Sequence, residues 1–365
     1  MEPKRAVHGG DFFDALGADF SGLDRIDEII NADVLDAWYD PSPRVIQAIR
    51  EHLPWLIKTS PPTHGDGLRQ VIAEVRRVDQ SNLVIGAGSS SLMYLAFPRL
   101  IRAGQKAVIL DPMYGEYAHI LGEIIGADVV RFELHEEDGF FPELSALADV
   151  CADADLLVMV NPNSPTGVGV SREEMSSLLS QLPQSIRVWV DETYIDFMPG
   201  AQSLENLVAA DSRLIVSKSM SKHYSLSGLR VGYLVCEANL AAALEEQSPP
   251  WAIGLIAQIA AVEALRDPEY YSARTAETHK LREDFSKELG SLPSVVAFPS
   301  TANYLLFKTD QMSASELVRR AAKRGVFLRN CDSLSPRFRG RFVRAAVKSA
   351  EENQRIVQVL SEMLD

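Results

Sequence analysis

The sequence holds only three cysteines, Cys151, Cys236 and Cys331. They are far apart and form no C-x-x-C pair, which argues against a disulfide framework or a zinc site and for a reducing, cytoplasmic setting. Positive charge is also scarce: the formal net charge is −14. Such a surface repels phosphate backbones and anionic lipid, so neither nucleic acid nor a membrane is expected as a partner. A small anionic molecule stays open where arginines gather locally. No apolar run reaches membrane-spanning length, and the N-terminus, MEPKRAVHGGDFF, has no apolar stretch of the kind a secretory signal needs. Internal repeats and low-complexity linkers are missing as well. What remains is a chain of 365 residues, 46% hydrophobic and 24% charged, the make-up of a globular protein of one large or two moderate domains.

The middle of the chain alternates short apolar runs with longer helical patterns. Strands are expected at 82–86 (NLVIG), 106–110 (KAVIL), 155–160 (DLLVMV), 187–191 (RVWVD), 213–218 (RLIVSK) and 231–235 (VGYLV). Helices are expected over 89–102, where Leu92, Leu95, Ala96 and Leu100 share a face, and from about Tyr117. Strands with little polar alternation, separated by helices, indicate an α/β fold with a mostly parallel sheet covered on both faces. After about Pro250 the pattern changes to a long helical region from Leu255 towards Leu289. There follow a strand at 302–308, a helix near 314–324, two short strands and a C-terminal helix from about Glu351. This reads as a large domain over 46–255 and a smaller α+β domain built from 1–45 and 256–365.

Four stretches carry chemistry. Gly86-Ala-Gly-Ser-Ser-Ser91 lies between a strand and a helix, where backbone N–H groups make a phosphate site; by itself it also fits a plain serine N-cap. Asn161-Pro-Asn-Ser-Pro-Thr-Gly167 alone is an ordinary polar turn. Asp191-Glu-Thr-Tyr194 puts a carboxylate at the C-terminal end of a strand, where open α/β sheets bind ligands. Ser217-Lys-Ser-Met-Ser-Lys222, followed by Gly228-Leu-Arg230, offers two lysines, Lys218 and Lys222. One cofactor needs all four. Pyridoxal 5′-phosphate (PLP) requires a phosphate cradle, a carboxylate for its ring nitrogen, a hydroxyl near its phenolic oxygen and a lysine for a Schiff base. The carboxylate should stay ionised beside a protonated ring, and the lysine must lose its proton to attack a carbonyl.

The order GxGS, PxYxxY, NPNSPTG, DETY, SMSK and GLRVGY resembles the fold-type-I class I and II aminotransferases, over nearly the whole chain. It is most similar to the branch holding histidinol-phosphate aminotransferase and threonine-phosphate decarboxylase. The resemblance implies that Lys222, which follows S-x-S, carries the cofactor and shuttles the Cα proton. It implies that Asp191 pairs with the ring nitrogen, Tyr194 meets the phenolic oxygen and Tyr114 stacks on the ring. Ser89, Ser90, Ser219, Ser221 and Arg230 would hold the phosphate. Arg329 and Arg344 would bind the substrate's carboxylate or a distal anion, bidentately. It also implies a homodimer, with loops of the second subunit completing the site.

Three departures concern the substrate. Ser164 stands where the family has an asparagine on the phenolic oxygen, so that contact is lost, remade by Asn163 or bridged by water. The family's N-x-N-P segment is replaced by Asn31-Ala-Asp-Val-Leu-Asp-Ala-Trp-Tyr39, whose Asp33 and Asp36 would meet a cationic group or sit exposed, with Tyr39 at the site. No tyrosine occupies the segment around Ser60 that reaches the neighbouring subunit's phosphate, and His64 is the replacement candidate at the dimer interface. His8-Gly9-Gly10, Pro250-Trp-Ala252, Ala302–Leu306 and the Cys331 region resemble threonine-phosphate decarboxylases, in which such a histidine approaches the substrate. The expected activity is transamination of an amino acid or amine with a polar or anionic side chain. The alternatives are decarboxylation of a phosphorylated or phosphonate-bearing amino acid, and elimination or cyclisation. A binding module without catalysis is disfavoured, because Lys222, Asp191, Tyr194 and Arg230 are all present.

Overall fold

The uniformly apolar runs of the sequence become the central strands of one sheet. The computed structural model describes residues 8–17 and 19–364. Its strands, in chain order, are β1 (Ile30–Asn31), β2 (Leu83–Gly86), β3 (Lys106–Asp111), β4 (Asp128–Glu133), β5 (Leu156–Val160), β6 (Arg187–Asp191), β7 (Leu214–Ser219), β8 (Gly232–Val235), β9 (Val295–Ala297), β10 (Tyr304–Thr309), β11 (Val326–Phe327), β12 (Arg329–Asn330) and β13 (Phe342–Ala346). Seven of them form a sheet in the order β2-β8-β7-β6-β5-β3-β4. Every pairing in it is parallel except those of β8, which runs antiparallel to both β2 and β7. All residues of β5 and β7 are buried, as layers on both faces require. The α/β expectation therefore holds, with one reversed strand inside the sheet.

Register aligns the chemistry. Val160 lies beside Asp191, Asp191 beside Ser217, and Ser219 beside Gly232. The C-terminal ends of β5, β6 and β7 thus share one edge of the sheet, where ligands of open α/β sheets bind.

A second apolar cluster gathers around the antiparallel sheet β12-β13-β10-β9 and the helices Pro268–Gly290, Ala314–Ala322 and Ala350–Leu364. Ala32 and Leu35 of the N-terminal segment belong to it, and β1 pairs with β11. Tyr39 and Val45 pack instead on the main core.

Several elements differ from the sequence expectation, among them the short β1 and β9, which carry too few residues for a periodic signal. β4 was not anticipated, since its DVVRFE mixes exposed and half-buried positions, none fully buried, at a sheet edge. The helix after Tyr114 is one α-turn, Gly115–Ala118, continued as π-helix over His119–Ile125. The long helical region divides into Leu255–Leu265 and Pro268–Gly290. Pro268 cannot continue a helix but suits the first position of one, and Asp267 caps it by accepting from the Tyr270 N–H.

Candidate active site

A cavity of about 190 Å³ opens at the C-terminal edge of the large sheet. The alternation along β7 and the turn after it separate the two lysines. Lys218 points away from the cavity and donates to Glu192 Oε2 at 3.2 Å, both side chains sealed from water. Burial works against its charge, but Asp196 and Glu192 outweigh that and keep it a firmly protonated lysine. Lys222 lies beyond the strand end, lines the cavity and donates to Asp36 Oδ1 at 2.9 Å. Burial pulls its pKa below the ordinary lysine value against the pull of Asp36, and the guanidinium groups of Arg344 and Arg230 add to the lowering.

Ser89, Ser90, Ser219, Ser221 and Arg230 line one end of the cavity. Gly88 turns the chain there at φ +85°, and a Cβ on it would lie 2.8 Å from Arg230 Nη2. A Cβ on Gly232 would lie 2.8 Å from the backbone N of Ser89, so only glycine lets β8 approach the start of the helix Ser89–Leu100. Arg230 donates from Nη1 to Ser227 O at 2.8 Å and Ser221 Oγ at 3.3 Å. A helix N-terminus, serine hydroxyls and a guanidinium together suit a dianionic phosphate.

Asp191 ends β6 at the cavity floor. Its Oδ2 accepts from Tyr117 Oη at 2.6 Å, and its Oδ1 accepts from the Thr193 N–H at 2.9 Å and the Thr193 hydroxyl at 2.6 Å. Burial nevertheless pushes its carboxyl above the usual range. Among the described residues no cation forms an ion pair with it. A protonated ring nitrogen is the counter-charge that such a group fits. Tyr117 is itself braced by the Trp189 indole N–H at 3.1 Å. Tyr194 lines the cavity, packed edge-on against Tyr304 with centroids 5.1 Å apart. Tyr114 lines it too, its hydroxyl pushed up to about 12 by burial and by the negative Glu116 and Asp191.

Arg344, from β13, reaches the cavity from the other sheet. Nη1 donates to Ser164 Oγ at 3.0 Å and Nη2 to Asp33 O at 3.0 Å, while Nε is buried with no hydrogen-bond partner among the described residues. Ser164 therefore braces the arginine, a connection that its place in the motif did not disclose. Asn163 does not line the cavity: its amide donates to Pro112 O at 3.0 Å and Thr166 Oγ1 at 3.1 Å and shapes the turn.

Other expected site residues lie elsewhere. Among the described residues no cation forms an ion pair with the Asp33 carboxylate; it accepts the N–H groups of Gly10 at 2.6 Å and Asp11 at 3.2 Å. Arg329 borders a separate recess, donating to His8 O at 2.7 Å and Ser333 Oγ at 3.1 Å. Both residues pin the N-terminal strap that brings His8 to the cavity, where its Nε2 lies 2.9 Å from Glu116 Oε2. Tyr39 is buried in the main core and donates to His223 O at 2.7 Å. His64 is exposed and borders a different cleft, with Arg69 and Glu245. Sequence reasoning missed Thr193, Tyr117 and Glu116. Thr193 and Tyr117 lie inside the DETY and PxYxxY motifs, so the signal was present.

The orphaned Arg344 Nε, the buried Asp191 and the Lys222 amine in one cavity with a phosphate cradle fit PLP and an acidic substrate. Residues 29–360 match the family described as aminotransferase class I and II. The chain is 31% identical to a histidinol-phosphate aminotransferase of Staphylococcus aureus, over 88% of each chain. It is 29% identical to the threonine-phosphate decarboxylase of Salmonella typhimurium, over 81% of each. The histidinol-phosphate aminotransferase of Sinorhizobium meliloti, solved in complex with PLP, superposes with a TM-score of 0.81 at 21% identity, over 91% of this chain and 89% of that one. The chain belongs to the class I and II aminotransferases, a family of PLP-dependent enzymes.

Proposed function

We propose that the protein is an aminotransferase acting on an amino acid with a polar or anionic side chain, with Lys222 as the cofactor-binding lysine. The observation that carries this reading is Arg344: a buried guanidinium with an unused Nε, held beside the cavity by Ser164. Bound between Asp191 and the serine–arginine cradle, PLP supplies an electron sink for charge left at the substrate's Cα. The chain's residues do the rest. Asp191, fixed by Thr193 and Tyr117, would keep the ring nitrogen protonated, and Tyr194 would donate to the phenolic oxygen. Arg344 would hold the substrate carboxylate by charge-assisted hydrogen bonds, keeping it from leaving as CO₂ and leaving the Cα proton to Lys222. Burial and two neighbouring guanidinium groups lower the lysine's pKa, so its amine can take that proton and return it.

One observation favours a second reading, decarboxylation of a phosphorylated or phosphonate-bearing amino acid: the strap held by Asp33 and Arg329 places His8 at the cavity. If Arg344 takes a distal anion instead, the carboxylate is freed to leave. Offering amino acids with and without 2-oxoglutarate separates the two. Transamination predicts keto acid matched one for one by amination of the acceptor; CO₂ release without acceptor consumption would overturn it in favour of decarboxylation.

We also propose that the enzyme works as a cytoplasmic homodimer. Trp55 and Ile57 on the helix Pro43–Lys58 and Trp251 expose large apolar surfaces that a second copy would cover. The three cysteines are buried free thiols, compatible with a reducing compartment. No helix among the described residues is long and apolar enough to cross a membrane. Sedimentation as an active monomer would contradict the dimer.

A further inference from the structure

We infer that Asp36 is a positioning residue for the cofactor lysine: it clamps Lys222 Nζ and the Ser227 hydroxyl on one carboxylate oxygen and sets how tightly that nitrogen holds its proton. The inference rests on the reading that Lys222 carries the cofactor. Lys222 Nζ lies 2.9 Å and Ser227 Oγ 2.6 Å from Asp36 Oδ1. Ser227 Oγ also lies 2.9 Å from Ser221 O, and Ser227 O accepts from Arg230. One carboxylate thus ties the lysine to the turn that forms the phosphate cradle.

The placement of Asp36 is built, not incidental. The segment around it is laced to the loop after Lys222, because the Tyr39 hydroxyl donates to His223 O at 2.7 Å and Ser225 Oγ donates to Tyr39 O at 2.7 Å. On its other side Asn303 Nδ2 donates to Leu35 O at 3.1 Å. These bonds hold Asp36 over the lysine. The segment is where the chain departs from the N-x-N-P pattern of the family it resembles.

The charges around the pair give the clamp a defined job. Arg344 and Arg230 face Lys222 as cations, and Lys348 adds a third beside Asp36. Asp191, the His8 imidazole and the hydroxyls of Tyr194 and Tyr114 line the same cavity. Among the described residues Asp36 is the one carboxylate that forms an ion pair with Lys222. Without it, burial and the two guanidinium groups act on the lysine nitrogen unopposed.

The test is a pH titration of the visible absorption of the PLP-loaded enzyme, which reports protonation of the nitrogen joining Lys222 to the cofactor. An opposite charge in contact is worth about 1–3 pH units. Asp36→Asn should therefore move the midpoint to lower pH by about that much, and Asp36→Glu should return most of it. Ser227→Ala strips a donor from the carboxylate, leaves its charge more fully on Lys222, and should move the midpoint to higher pH. An Asp36→Asn enzyme that binds PLP and titrates at the wild-type midpoint would overturn the inference. If that variant fails to fold, an unmoved midpoint in Ser227→Ala does the same. A visible band that survives in Lys222→Ala would instead overturn the lysine assignment, which keeps the two failures distinct.

Discussion

Lys218 and Lys222 are near neighbours in the sequence, yet one is locked to Glu192 behind the sheet and the other faces the cavity. The S-x-S pattern selected Lys222, and the geometry gives the physical reason. Lys222→Ala should abolish the visible absorption of the bound cofactor while leaving a folded protein. Lys218→Ala should keep that band but lose about 3–5 kcal/mol of stability, because it strands a buried carboxylate; absorption spectra and denaturant titrations of both variants check the contrast. Arg344→Ala should lower kcat/KM at least about a hundredfold, from the loss of charge-assisted bonds worth about 1.5–3 kcal/mol each, and steady-state kinetics on the best substrate reads this directly. Legibility was uneven at this scale. Asp191, Tyr194, Tyr114, the serines and Arg230 sit in motifs whose backbone shape fixes where they point. Tyr39, Asp33 and Arg329 do not, because partners distant in sequence turned them: His223 for Tyr39, the strap at Gly10 and His8 for Asp33 and Arg329. Asn163 lies inside its motif but is turned away by Pro112 O, and His64 lies on an exposed loop. Asp36, which also reads as an exposed carboxylate, reaches Lys222 because that same long-range lacing holds it there.

Among elements, β8 approaches the helix Ser89–Leu100 closely. A Cβ on Gly232 would meet only backbone, at 2.8 Å from Ser89 N and 2.9 Å from Lys218 O, and backbone cannot step aside as a flexible side chain can. Gly232→Ala should therefore cost about 1–3 kcal/mol in overpacking and weaken PLP binding by displacing the phosphate cradle; thermal melting and a PLP titration measure the two effects. The strands buried on both faces were readable, since their apolar runs have no other use. β4 was not, because an edge strand with one wet face carries too little apolar signal. Pro268 marked a helix break that the continuous helical periodicity concealed.

For the whole molecule, acid stability follows from the buried cluster behind the sheet. Burial opposes the charge of Asp196, but Lys218, 3.9 Å away, and Arg76, 3.7 Å away, outweigh it and hold the carboxyl well below the usual range. A depressed native pKa contributes stability that is fully present above the unfolded value, about 4, and is lost as pH falls through the native one. Asp191 and Glu192, pushed up by burial, act in the opposite sense but are common to wild type and variant. The melting-temperature gap between wild type and Asp196→Asn should therefore be widest near neutrality and narrow steadily below about pH 4; a gap independent of pH would refute this. At this scale the fold class was legible from the alternation of strands and helices, and the family resemblance put Arg344 of the second sheet at the substrate site; the Ser164 contact that holds it there was not legible, since it joins residues far apart in the chain. The central claim, that Lys222 carries the cofactor, is met most directly by borohydride reduction of the PLP-loaded protein followed by peptide mapping. The account predicts the reduced cofactor on the peptide containing Lys222. A cofactor fixed on Lys218, on any other lysine, or on none would contradict it.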